Sequence, residues 1–329
     1  MRITIAIALC LTTLLLVGCP NEPVTDPETT FSPDSESPSD GAVAPPEGGR
    51  VFGVSFQTMN NPFFVDLDEG LRSVIEANGD ELETLDAQWD SLKQKNDVSD
   101  LILKGCAGIF INPVNWEGIK GSLLQAKEKG IPVVIVDAPA KDAALALCTV
   151  ASDNVEAGRL AAQALAEACP EAKIVVLHHS VNKACIDRVA GFTEIIDTHD
   201  GMEIIDTQEG KGTKDGGRSV MRDLVGRFPD VNAAFPINDP SALGAVSALD
   251  AAGKLDGVTI VSVDGSIEAV EAIKAGKLLS TSAQFPHEIG TTAAEAVYAH
   301  LAGEDVEEDI KVRVELISGE NADEFLNAD

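Results

Sequence analysis

From residue 50 onward, short apolar runs alternate with longer stretches of helical periodicity, and this alternation restricts the fold more than any other feature. The strand-like runs are Val51–Phe56, Glu81–Leu85, Gly108–Asn112, Val133–Asp137, Cys148–Ala151, Lys173–Leu177, Ile204–Thr207, Ala233–Pro236, Thr259–Asp264 and Leu279–Ala283. Most are continuously apolar, as strands of a parallel sheet buried on both faces must be. The stretches between them carry helix punctuation. Asn61-Pro62 opens one helix, which sets Phe64, Leu67, Leu71, Val74 and Ile75 on one face and has Gly79 past its end. Asp239-Pro240 opens another, with Leu243, Val246 and Leu249 inward and Gly253 at its close. Strand–helix alternation of this length predicts an α/β fold of doubly wound parallel sheets, and 329 residues suffice for two lobes.

Polar residues gather where the strands end: Gln57 to Asn61, Asn112-Pro113, Asp137, Asn238-Asp239 and Asp264-Gly265. Any one of these fits a helix cap or a turn. Open α/β sheets bind ligands outside the carboxyl ends of their strands, so a series of polar strand ends in both halves predicts one shared cleft. His178-His179 also follows a strand. Adjacent histidines on extended chain point in different directions and no spaced third ligand is evident, so they read as hydrogen-bonding groups at the cleft edge rather than a metal site. Glu209 to Thr213 is glycine-rich but lacks the spacing of a phosphate-binding loop.

An ordered set of motifs carries a resemblance. Phe52-Gly53-Val54-Ser55 with Asn60-Asn61-Pro62-Phe63-Phe64, Ile111-Asn112-Pro113, and Ile131 to Asp137 resemble the ribose-type periplasmic sugar-binding proteins, the substrate-binding components of ABC importers. The resemblance continues through Ala151-Ser152-Asp153-Asn154, Asp187-Arg188 with Gly191-Phe192, and Ile237-Asn238-Asp239 with Ala242 to Ala245. It ends with Val263-Asp264-Gly265 and Ala283-Gln284-Phe285-Pro286. It implies two lobes of the periplasmic-binding-protein type I fold, joined by a three-segment hinge and closing on ligand. Transferred here, the N-lobe is 50–152 plus 285–313 and the C-lobe 153–284 plus 314–329. Lactose-repressor-type regulators share that fold but need an N-terminal helix-turn-helix, where this chain has an apolar leader and a polar tether.

The resemblance also implies the chemistry. A sugar hydroxyl both donates and accepts, so a selective pocket needs fixed carboxylates, amides and a guanidinium. Asp137 and Asp264 would accept, Arg188 would donate, and Asn61, Asn238 and Gln284 would do both. Gln57 stands where a small hydroxyl residue is usual, and Phe63 and Phe64 would lie against the ring. The bland readings are helix capping for Asn238 and Asp264, a surface ion pair for Arg188 and core packing for Phe64. This chain departs from the pattern at Ala138, in place of an arginine, and at Val263, in place of an aromatic residue. Lys211 takes the place of a second aromatic, and Trp89 and Trp116 are further candidates for stacking. The expected ligand is therefore an uncharged sugar or polyol of about pentose to hexose size, with ribose not favoured.

Residues 1–18 read as a signal segment: Arg2, an apolar run Ile3 to Val17 too short for a confident membrane span, then Leu16-Val17-Gly18-Cys19, which resembles a bacterial lipobox. Cys19 would carry lipid. Residues 19–49 read as a tether, since 20–49 hold seven prolines and seven acidic residues with no Lys or Arg. Localisation outside the cytoplasm is expected, with membrane contact only through the lipid. There Cys106, Cys148, Cys169 and Cys185 can form up to two disulfides, in three connectivities the sequence does not separate. A net charge of −30 excludes nucleic acid as a partner. Asp137 and Asp264 could form a glycosidase-like carboxylate pair, but there is no nucleophile elbow, triad, metal motif or cofactor motif. A monomeric binding protein serving an ABC permease is expected, not an enzyme, with presentation of the sugar to a chemoreceptor or sensor kinase as the alternative.

Overall fold

The computed structural model describes residues 49–328, so the leader, Cys19 and nearly all of the tether lie outside the described residues. Five strands and four helices come first: β1 (Val51–Phe56), α1 (Pro62–Ala77), β2 (Glu81–Asp86), α2 (Ser91–Lys104), β3 (Ile109–Ile111), α3 (Lys120–Glu128), β4 (Val133–Val136), β5 (Cys148–Ser152) and α4 (Asn154–Ala168). The same pattern repeats: β6 (Ala172–His178), α5 (Lys183–Ile196), β7 (Met202–Glu209), α6 (Lys214–Arg227), β8 (Ala233–Pro236), α7 (Asp239–Ala251), β9 (Thr259–Asp264), α8 (Ile267–Lys274), β10 (Ser280–Ala283) and α9 (Pro286–Leu301). The tail adds β11 (Asp309–Val312), β12 (Glu315–Ser318) and α10 (Ala322–Ala328).

Two six-stranded sheets result among the described residues, ordered β11-β5-β4-β3-β1-β2 and β12-β10-β9-β8-β6-β7. Leaving out the tail strands, both follow the doubly wound order 2-1-3-4-5, whose switch points lie between β1 and β3 and between β6 and β8. All these pairings are parallel except β10 with β12, which is antiparallel. The chain passes between the sheets three times: after β5, after β10 and after β11.

The period-2 alternation of the strands divides the core into layers. In the first sheet Phe52, Val54, Phe56, Val134 and Val136 face α1 and α9, while Ile109, Ile111, Val133 and Ile135 face α2 and α3. In the second, Val175, Leu177 and Ala234 pack with α6, α7 and α8, and Val176, Phe235 and Val263 with α4 and α5. Glycines let the helices cross backbone to backbone. A Cβ on Gly191 would stand 1.9 Å from the carbonyl oxygen of Val155, and one on Gly158 2.0 Å from that of Arg188. No larger residue fits at either place without parting α4 from α5, the helix pair that seats Arg188.

Every expected strand is present, with ends shifted by a few residues. β11 and β12 were not among the expected strands, because they are short edge strands whose charged residues alternate outward, as edges require. The disulfides that the four thiols could have formed are absent among the described residues, where all four cysteines are free. Cys106 precedes β3 and Cys148 opens β5, two strands apart, about 10 Å by strand spacing, beyond the reach of a disulfide. Cys169 lies near Asn232 at the amino end of the second sheet, and Cys185 faces the opposite end. Burial raises the thiols of Cys106, Cys148 and Cys185, the last to about 12. Among the described residues no helix is long and apolar enough to cross a membrane.

Candidate functional site

Loops at the carboxyl ends of both sheets line a shared cleft. The first sheet contributes Gln57, Asn61, Phe63 and Phe64 after β1, Trp89 after β2 and Asp137 after β4. The second contributes Arg188 from α5, Asn238 after β8, Asp264 at the end of β9 and Gln284 after β10. All nine principal residues expected from sequence therefore meet in one place, and so does Trp89. Trp116 does not: its backbone N–H donates to the Val181 carbonyl (3.2 Å) and its ring lies 5.7 Å from Lys141 Nζ. Lys211 does not line the cleft either, because the glycine-rich loop turns with positive φ at Lys211 and Gly212 and presents Gly212 instead.

The two carboxylates are held by strained backbone. Asp137 has φ 64° and Asp264 φ 141°, conformations that side-chain-bearing residues rarely adopt and that occur where function demands them. Asp137 is 5% exposed, and its Oδ2 accepts from Asn112 Nδ2 at 2.8 Å. Asn112 is itself fixed: its Oδ1 accepts from the Gln57 N–H and its carbonyl from Gln94 Nε2. Asp264 Oδ1 accepts from Gln284 Nε2 (2.8 Å) and Arg188 Nη1 (3.3 Å). Arg188 is 4% exposed, not a surface residue, and also donates through Nε to Asn154 Oδ1 and through Nη1 to the Ile237 carbonyl.

Burial dominates the electrostatics. It raises Asp137 to about 6 against the opposing pull of Arg188 and the Asn112 hydrogen bond. Asp264 rises to about 7, mainly by burial, with Asp239 and Asp137 adding to the rise and Arg188 and Gln284 opposing it. Asp239 does not line the cleft. Fully buried, it accepts from the Ser262 and Thr281 hydroxyls and the Ser266 N–H, tying the ends of β8, β9 and β10 together, and burial raises its pKa too.

Several residues have two duties. Asn61 caps α1 by accepting from the Phe63 N–H, and Asn238 caps α7 by accepting from the Ser241 N–H while its Nδ2 donates to the Gly212 carbonyl. Phe64 is 3% exposed and packs in the core under the cleft, edge-on to Phe63 at 5.2 Å. Capping and packing thus coexist with a place in the cleft wall. His179, Asn182, Ala184, Cys185 and Gly212 also line it. They sit in loops and first helical turns whose placement no periodicity reports; of the pair expected at the cleft edge, His179 lines the cleft and His178 does not.

The side chains of Gln57 and Gln284 are each 4% exposed, and the Oε1 of each has no hydrogen-bond partner. Buried acceptors without donors are costly, by about 1–3 kcal/mol each. With two carboxylates and a single lining guanidinium, the cleft offers a hydroxyl-rich neutral molecule many partners and an anion few.

Comparison with known proteins agrees with this architecture. A model of the periplasmic binding protein domain matches residues 52–305. The ribose import binding protein of Bacillus subtilis is 33% identical over 96% of this chain and 99% of its own length. Among solved structures, the arabinose-transporter binding protein of Shewanella sp. ANA-3, bound to L-arabinofuranose, is 31% identical with a TM-score of 0.79 over 84% of this chain and 95% of that one. A solute-binding protein of Bacillus halodurans with bound myo-inositol is 29% identical, with a TM-score of 0.79 over 84% and 97%. Two doubly wound sheets, three passages of chain between them and a polar cleft at their carboxyl ends are thus joined to full-length sequence kinship, and the chain belongs to the periplasmic binding protein family.

Proposed function

We propose that this chain is the solute-binding component of an ABC importer and captures one uncharged sugar or polyol of about pentose to hexose size between two lobes. The observation that carries the reading is the convergence, from both sheets, of buried polar groups still lacking partners with the Asp137–Arg188–Asp264 set. Relatives named for ribose, arabinose and myo-inositol binding support the ligand class. Ala138 and Val263, the two departures from the ribose-type pattern, are both fully buried and neither lines the cleft.

The lobes are 50–152 plus 285–313 and 153–284 plus 314–329, and they close by bending where the chain passes between the sheets. A thermal-shift screen of pentoses, hexoses, polyols and inositols tests the ligand class. A ligand at about a thousand times its Kd adds about 4 kcal/mol of stability, a clear rise in Tm. Scattering with the best ligand should then show a smaller radius of gyration. Selective binding of a carboxylate or an amino acid would refute the class, and an unchanged scattering profile at saturation would refute closure.

The protein lies outside the cytoplasm, anchored by lipid on Cys19, with residues 20–49 between the anchor and the lobes. Labelled palmitate should enter the native chain and not Cys19→Ala. Equal labelling of both would remove the anchor from the account.

A further inference from the structure

His179 follows β6 and is 7% exposed, with its ring in the cleft wall. Its Nδ1 lies 3.1 Å from Glu209 Oε1, at the end of the neighbouring strand β7. Glu209 is anchored in turn: Oε2 accepts from the Ser180 N–H (2.9 Å) and hydroxyl (2.8 Å), and Oε1 from the Lys211 N–H (2.9 Å). Burial alone would raise the Glu209 carboxyl, but these hydrogen bonds together outweigh it and hold it at about 2. Glu209 is therefore a carboxylate wherever the protein is folded and in use. A carboxylate only accepts, so the Nδ1 of His179 carries the proton and donates. In the neutral ring this leaves Nε2 as a bare lone pair.

That Nε2 is buried and has no partner, in a cavity where Gln57 Oε1 and Gln284 Oε1 are also unpaired. On its other side the ring meets Trp89, which comes from the first sheet and stands edge to face at 5.8 Å with an interplanar angle of 84°. His179 is thus fixed from three directions, by Glu209 below, Trp89 across the cleft and its own strand end, with one acceptor atom left over.

Resting on the proposed sugar or polyol function, we infer that His179 is a further recognition residue whose Nε2 accepts a hydrogen bond from one ligand hydroxyl, with Glu209 as the positioning residue that sets its tautomer. Asp137, Asn238 and Asp264 read hydroxyls at the ends of β4, β8 and β9, and Arg188 reads them from α5. His179 adds a reader at the end of β6, in the same cleft wall as Gly212. An analogue lacking the hydroxyl that faces Nε2 leaves it unpaired, so this contact discriminates between sugars that differ at one carbon.

The test is calorimetry with the tightest binder from a panel of D-ribose, L-arabinose, D-allose, xylitol and myo-inositol. Native protein is compared with His179→Ala, His179→Gln and, as control, His178→Ala, whose side chain does not line the cleft. Affinity should fall about tenfold to a hundredfold in His179→Ala, the cost of stranding a buried polar partner. His179→Gln can set an amide oxygen where Nε2 stood and should recover part of the loss, and His178→Ala should bind as native. One monodeoxy analogue of the same sugar should bind native protein and His179→Ala equally. Should His179→Ala not fold, the ¹⁵N resonance of His179 Nε2 in native protein must move on adding the sugar while that of His178 does not. Native-like affinity in His179→Ala, or an unmoved resonance, overturns this inference and leaves the sugar-binding reading standing. Heat from no member of the panel overturns both.

Discussion

Replacing Arg188 by alanine should cost about 3–5 kcal/mol of folding stability and at least as large a share of ligand affinity, because it removes the cation from a site that keeps its carboxylates. The guanidinium is 4% exposed and makes hydrogen bonds to Asn154 Oδ1, the Ile237 carbonyl and Asp264 Oδ1. Without it, Asp264 and Asp137 lose the charge that opposes their desolvation, and Asn154 and the Ile237 carbonyl lose a donor. Lysine is no substitute, since one ammonium cannot reach three acceptors in the planar fork that arginine supplies. Chemical denaturation of the ligand-free variant reads the stability, and calorimetry with the best ligand of the screen reads the affinity. A loss of under about 1 kcal/mol in both, the usual worth of a surface ion pair, would mean that the buried pair is not what holds the cleft together.

Across about pH 4 to about pH 7, the ligand-free protein should become less stable and bind its ligand more tightly, and Asp264→Asn should flatten both trends. Burial raises Asp264 to about 7 and Asp137 to about 6 from an unfolded value of 3.8. Between those values the folded protein holds protons that the unfolded chain has released, so stability falls as pH rises through the window. The total is on the order of a few kcal/mol, because each tenfold difference in proton affinity between the folded and unfolded chain is worth about 1.4 kcal/mol. Ligand hydroxyls donate best to ionised carboxylates, so binding favours the deprotonated site, and affinity rises over the same window as protons are released. The net charge of −30 adds its own repulsion as pH increases, which is why the difference between native protein and Asp264→Asn is the quantity to compare. Calorimetry in buffers of different ionisation enthalpy counts the protons released. Equal pH slopes in the two proteins would sink the assignment.

The β–α alternation was legible because both-face burial forces continuous apolar runs, and most of the ten expected strands, among twelve in the described residues, announce themselves that way. β11 and β12 escaped because edge strands owe their place to a neighbour rather than to their own hydrophobicity. The nucleating signals at Asn61-Pro62 and Asn238-Asp239-Pro240 were equally local, since a cap is a contact between residues two or three apart. Lys211 does not line the cleft, whereas Gly212 of the same loop does. Which member of Gly210-Lys211-Gly212 reaches the cleft depends on the positive φ at Lys211 and Gly212, and no side-chain pattern records it.

By itself, then, the sequence determined the succession of strands and helices and the residue types at each strand end, because both follow from burial and capping within one β–α unit, while the strand order of each sheet belongs to the tertiary structure. Through its resemblance it also brought Asp137, Arg188, Asn238, Asp264 and Gln284 together as one site. The tertiary structure alone decided the rest. The seating of Arg188 depends on glycine-to-carbonyl contact between α4 and α5. The rise of the two aspartates comes from water excluded by both sheets at once. The tautomer of His179 is set by a carboxylate 30 residues away on the next strand, and its ring is covered by a tryptophan from the other sheet. Each of these is a contact or a desolvation between segments far apart in the chain, and its energy exists only once the two sheets are in place.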